Sequence, residues 1–159
     1  MKVYQEMEAQ ALLDVIIEEE SRLCFDHFSN NEAFELGKCI VAQFANFAPV
    51  AIEIYINGHC KFSFFPDGTG VNNGTFLANK RRTVEAKEWS SLRMYAWLLA
   101  LGRTQESALM PFEHYAAVGG GFPIRMKDGA VIGSVCVSGL PHFQDHTLLV
   151  AALEQYLGK

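Results

Sequence analysis

The chain has 159 residues, half of them apolar, which suits one domain with a full core over residues 1–159. No apolar run approaches the roughly 20 residues that span a bilayer, and the acidic opening MKVYQEMEAQALLDVIIEEE is unlike a secretion signal, so a cytoplasmic protein with no membrane partner is expected. A net charge of −5 disfavours nucleic acid as a partner, because that binding relies on Lys and Arg neutralising phosphates.

Met7, Ala11, Leu12, Val15 and Ile16 recur at helical spacing and predict a first helix over residues 4 to 20 with an acidic, solvated outer face. Ser29 with Glu32 three positions on reads as a capping box opening a second helix. Ala33, Leu36, Ile40, Phe44 and Phe47 form its buried stripe, and Pro49 stops it. The period then drops to two. Val50, Ile52, Ile54 and Ile56 fall on one face of a strand, with Ala51, Glu53 and Tyr55 on the other. Asn57-Gly58 supplies the positive-φ pair of a tight turn, and Cys60, Phe62 and Phe64 continue the alternation on the way back.

Asn72 or Asn73 can cap a third helix running to about Glu85, and a fourth runs from Ser90 or Ser91 to Leu101 with Gly102 closing it. From Tyr115 the chain returns to strand through AAVGGGFPIRM, turns at KDG, and comes back through AVIGSVCVSG. Pro141 opens a last helix whose Leu148, Leu149, Ala152, Leu153 and Tyr156 face inward. Two hairpins separated by helices predict an α+β domain, an antiparallel sheet with helices packed on it, and disfavour a doubly wound nucleotide fold.

Gly119 to Gly121 are followed by a strand rather than a helix, so they do not form a phosphate loop, which needs amides converging at a helix N-terminus. They mark instead a bulge or a place where another element presses on the sheet, with Pro123 at an edge or ladder break. Cys24, Cys39, Cys60 and Cys136 contain no CxxC pair and sit in apolar surroundings, so they read as buried free thiols.

In order along the chain, FDH with AFELG, PVAIEI, NKRRTV, GGGFPIR and GSVCVSGLPHFQDHTLLVAALEQYL resemble an uncharacterised branch of the GlcG/HbpS-like superfamily, whose domain is often labelled haem-degrading. The resemblance covers essentially the whole chain. It implies a profilin-like fold, a central antiparallel β-sheet flanked by α-helices, and homo-oligomers. It implies haem or corrinoid binding for the wider superfamily only, and no reaction for this branch. Two positions depart from the pattern: Phe76 stands where Trp is usual, and His142 where many relatives carry Gln.

Lys80 and Arg81 share a helical stripe with Phe76, Leu77 and Val84, which aims cations toward apolar surface, as snorkelling stems, interface partners or an anion-binding position. His142, Asp145 and His146 cluster on the first turns of the last helix. His142 and His146 have the spacing that grips zinc, but nothing fixes a third ligand, so no metal is expected. Asp145 and His146, both in the resembling motif, form the polar pair expected to line a site, with Ser138 and Gly139 beside them and Phe122 of the glycine–phenylalanine–proline strand. Asp26 and His27 read as turn or cap residues, and no nucleophile elbow supports a serine hydrolase. The leading expectation is a homo-oligomer that binds a small anionic ligand or a protein partner. The competing classes are an enzyme on a small carboxylated or tetrapyrrole-like substrate, with His146 as acid or base and Lys80 as clamp, and an assembly scaffold.

Overall fold

The structure, a computed structural model, describes residues 3–159. A 3₁₀ turn, Tyr4–Glu6, leads into α1 (Ala9–Arg22) and α2 (Asn30–Phe44), followed by a hairpin of β1 (Ala51–Ile56) and β2 (His59–Phe64). Then come α3 (Val71–Lys87), α4 (Ser91–Ala100), β3 (Gly121–Arg125), β4 (Val131–Ser138) and α5 (His142–Leu157). The sheet order is β2-β1-β4-β3 and every neighbouring pair is antiparallel, so the two hairpins join through β1 and β4.

The period-two pattern decides the two faces. Ile52, Ile54 and Ile56 meet Val135, Val137, Phe122 and Ile124 on one side, under the inner stripes of α2 and α5. Removing each such aliphatic side chain from water contributes about 1.5–3 kcal/mol, which makes this layer the main core. On the other side two small residues, Ala51 and Cys136, lie under Leu77 of α3. That allows α3 to cross close to the strands, and α4 carries α1 outside it through Leu92 and Ala96 against Leu12, Leu13 and Ile16. No helix among the described residues is long and apolar enough to cross a membrane.

Local signals hold where they depend on near neighbours. The Ser29 hydroxyl accepts the Glu32 N–H at 3.2 Å while the Glu32 carboxylate accepts the Ser29 N–H at 2.6 Å. Asn57 and Gly58 carry φ of 50° and 79° in the hairpin turn. Pro123 sits in β3, an edge strand, where its missing N–H leaves no inner ladder broken.

Five expectations are corrected. The outer face of α1 is not uniformly solvated, since Glu19 and Glu20 are buried; Glu20 accepts from the Ser90 N–H at 2.6 Å and from Arg93 at 2.7 Å. The second helix stops at Phe44, before Pro49, and leaves Phe47 about half exposed. Asn73 does not occupy the N-cap; it sits one turn in and reaches back, its Oδ1 accepting the Gly70 N–H at 2.9 Å. Residues 115–120 are not strand, because side chains take their amides: Thr83 Oγ1 accepts from Ala116 at 3.0 Å and Gln105 Oε1 from Ala117 at 2.9 Å. All four thiols are free, yet only Cys136 is buried and Cys60 is exposed.

Candidate functional site

Lys80 lies on the sheet-facing side of α3 and is 2% exposed. Its Nζ passes the glycine triplet and donates to the Val137 carbonyl at 2.8 Å, at the end of β4, and to Asp145 Oδ2 at 3.2 Å, on the first turn of α5. Asp145 is itself 2% exposed and accepts the Leu140 N–H on Oδ1 at 3.1 Å, with a further bond from the Gly139 amide. Burial draws the Lys80 ammonium below its usual range and pushes the Asp145 carboxyl up, while the attraction between the two charges opposes both shifts. The close contact and three supporting hydrogen-bond partners, the Val137 carbonyl and the Leu140 and Gly139 amides, favour the charged forms.

The glycine triplet makes this junction possible. Gly120 has φ of +113°, and a Cβ there would lie 2.6 Å from Lys80 Nζ and 2.7 Å from the Val137 carbonyl oxygen. A Cβ at Gly119 would collide with the His142 carbonyl. The glycines are a crossing point, as their position before a strand implies, and they lie beside a cleft where the ends of α3, β4 and α5 meet.

That cleft encloses about 360 Å³ above the Lys80–Asp145 pair. Its walls are Asn72, Phe76, Val118, Ser138, Leu140 and His142. The His142 imidazole is flanked by the rings of Tyr95 and Phe143, with centroids at 5.1 and 4.1 Å. Its Nδ1 accepts the Gly119 N–H at 3.1 Å. Burial, then the Lys80 charge and His146, lower its pKa to about 4, so the ring is neutral at neutral pH.

The residues expected to form one site separate into three places. Lys80, Ser138, Gly139 and Asp145 meet at the cleft. Arg81 does not join them: it stacks 4.3 Å from the Tyr55 ring and pairs with Glu85 at 3.2 Å. Phe122 and His146 lie in the core, their rings 6.1 Å apart. His146 is fully enclosed, its Nε2 3.1 Å from Glu19 Oε2, while Glu19 Oε1 accepts the Tyr4 hydroxyl at 2.6 Å. The separation follows from helix geometry, because consecutive residues point about 100° apart around the axis. Lys80 and Arg81, and likewise Asp145 and His146, point here to different places. Asn72, Val118 and Leu140 carry no chemical pattern that singles them out; Phe76 and His142 do, as the two departures from the resembling pattern.

Residues 28–154 match the family described as "Haem degrading protein HbpS-like". The chain belongs to the HbpS-like family. A UPF0303 protein of Schizosaccharomyces pombe is 37% identical over 150 residues, covering 92% of this chain and 84% of that protein. The crystal structure of Ybr137w protein superposes with a TM-score of 0.84 at 28% identity, covering 92% of this chain and 87% of the other. A PduOC:haem complex superposes with a TM-score of 0.65 at 20% identity, over 79% of this chain and 94% of its own, and shares the fold. The α+β architecture expected from the strand and helix periods is thus that of the HbpS-like family.

Proposed function

We propose that the chain is a binding protein for a small anionic ligand, held in the cleft above Lys80. The observation that supports this is the lysine itself. A buried ammonium has three N–H donors, and only two are taken by the Val137 carbonyl and Asp145. The third borders a cleft of about 360 Å³, within the size range of metabolite pockets. An anion placed there gains a charge-assisted hydrogen bond in a poorly solvated setting, where such bonds are strongest. His146 has no chemical part in this reading, since it is sealed beneath Glu19 and Tyr4.

Haem, the group named with PduOC, does not fit this cleft. Haem iron takes a His, Cys, Met or Tyr donor, and the sole such side chain in the lining is His142, where the Gly119 N–H bonded to Nδ1 leaves Nε2 protonated and without a lone pair for iron. The only cation in the lining is Lys80, and its one remaining N–H cannot pair two propionates.

Assembly into a homo-oligomer in the cytoplasm completes the proposal. Phe34, Phe64, Phe76 and Phe112 are each more than 40% exposed, more aromatic surface than solvent favours. Native mass spectrometry of protein purified from its own cells tests both parts. The expected result is an oligomer carrying a stoichiometric acidic molecule that is lost in Asn72→Trp, which fills the cleft mouth. Undiminished retention in that variant would place the ligand elsewhere and overturn the reading.

A further inference from the structure

We infer that His142 reads the cleft's occupant as a hydrogen-bond donor through Nε2, so that the ligand is a small organic acid presenting oxygen acceptors beside an apolar body. This rests on the cleft being a binding site and adds the chemical class of what it binds and the residue that selects it.

The tautomer follows from the backbone. An amide N–H only donates, and the Gly119 N–H points at His142 Nδ1 from 3.1 Å, so that nitrogen must offer its lone pair. A neutral imidazole then carries its proton on Nε2. The ring stays neutral between Tyr95 and Phe143 and near the Lys80 charge. Gly119 cannot retreat to release Nδ1, because it is packed against the His142 carbonyl and the His146 Cβ. Nε2 makes no hydrogen bond to another described residue, and His142 lines the cleft.

The other groups in the lining leave the same balance. Both Asp145 oxygens are occupied, by Lys80 and by the Leu140 amide. Asn73 uses its carbonyl on the Gly70 N–H and its amide on the Ser138 carbonyl at 3.0 Å, which removes that acceptor too. The Val137 carbonyl is taken by Lys80. Among the side chains of the lining, the His142 Nε2–H and the third Lys80 N–H are unused and only donate, while Asn72 and the Ser138 hydroxyl can act either way. An occupant that satisfies this lining brings acceptors. A metal ion would need a lone pair on the cleft-facing nitrogen of His142, and the Gly119 bond to Nδ1 leaves that nitrogen protonated. Phe76, Val118 and Leu140 supply the apolar wall against which the acid's carbon body rests.

Glutamine at position 142 would keep the same balance. A glutamine amide also accepts through its oxygen and donates through its nitrogen, so either residue can bond Gly119 and still donate into the cleft.

The test uses the intact protein with benzoate as probe. Long-range ¹⁵N–¹H correlation of the histidines, with the His142 signals assigned by their loss in His142→Gln, is expected to show an Nε2–H tautomer. Added benzoate should shift that proton, and benzamidinium, which carries donors in the same place, should not. His142→Phe should weaken benzoate about tenfold, while His142→Gln holds it within about threefold. An Nδ1–H tautomer, equal binding by His142→Phe, or haem absorption bands that depend on His142 would overturn the inference while leaving the cleft a site. If neither probe moves any cleft resonance at tens of millimolar, the binding reading of the cleft fails, and with it the assigned ligand class.

Discussion

Replacing Lys80 by Met isolates what the buried pair does. Methionine keeps most of the aliphatic stem under α3, so the packing loss is small, but Asp145 remains 2% exposed with only the Leu140 and Gly139 amides for company. Removing one partner of a buried pair costs about 3–5 kcal/mol when the other stays charged. Asp145 has an alternative, which is to take up a proton on folding. From an unfolded pKa of about 3.9, that costs about 1.4 kcal/mol per pH unit, or about 4 kcal/mol at pH 7 and about 1.5 kcal/mol at pH 5. The carboxyl is then a group whose folded pKa lies above its unfolded one, so its stability contribution is regained as pH falls. Lys80→Met should therefore lose about 3–4 kcal/mol at pH 7, equivalent to a Tm drop of roughly 10 °C for a chain this size, and recover more than half of it at pH 5. Lys80→Met with Asp145→Asn, which keeps an acceptor for the Leu140 amide without the charge, should stay within about 1 kcal/mol of wild type at both pH values. Urea unfolding followed by the fluorescence of Trp89 and Trp97 measures all three. A deficit that is the same at pH 5 and pH 7, or a double variant no better than the single, would show that no unpaired buried carboxylate is being created.

Gly120→Ala places a Cβ 2.6 Å from Lys80 Nζ at φ of +113° and should lower stability by at least about 3 kcal/mol, strain and overpacking together; a Tm within 2 °C of wild type, roughly half a kcal/mol, would contradict the crossing-point reading. His142, with a folded pKa of about 4 against about 6.5 unfolded, contributes stability that is complete above pH 6.5 and lost as pH falls toward 4. Its partial exposure reduces the effect to about 1–2 kcal/mol, and His142→Gln should flatten that part of the stability-against-pH curve. His146→Leu leaves Glu19 without its imidazole partner and should cost about 2–3 kcal/mol in denaturant while benzoate binding at the cleft is unchanged; a loss of binding equal to that in His142→Phe would join two places that the fold separates.

The fold was legible wherever a pattern repeats or a residue acts on its near neighbours. Period two marked β1 and β4, the Ser29–Glu32 spacing marked the start of α2, and Asn57-Gly58 marked the turn. Errors arose where a distant partner decided the outcome. The amides of Ala116 and Ala117 bond to Thr83 and Gln105 instead of a neighbouring strand, and those partners sit on other elements. Glu19 and Glu20 lie in an acidic run with nothing local to distinguish them from Glu18, which is exposed. The arrival of Tyr4, His146, Ser90 and Arg93 helps to make them interior.

The candidate site was half legible for the same reason. Residue types pointed to Lys80 and Asp145, but adjacency in sequence also drew in Arg81 and His146, which a helix turns to other faces. The glycine triplet announced a crossing without saying what crosses. In the fold each glycine admits a different group: Gly119 the backbone at the start of α5, Gly120 the Lys80 ammonium, and Gly121 the Ser91 hydroxyl and the inner side of α3. Three absent side chains thus bring α3, α4 and α5 to one edge strand, and the cleft is the space left beside that convergence. A single Cβ at Gly120 would push Lys80 away from Asp145 and Val137. Any chemistry at this cleft therefore depends on the triplet as much as on the charged residues above it, which is why Gly120→Ala should disturb benzoate binding and stability together, whereas His142→Phe disturbs binding far more than folding.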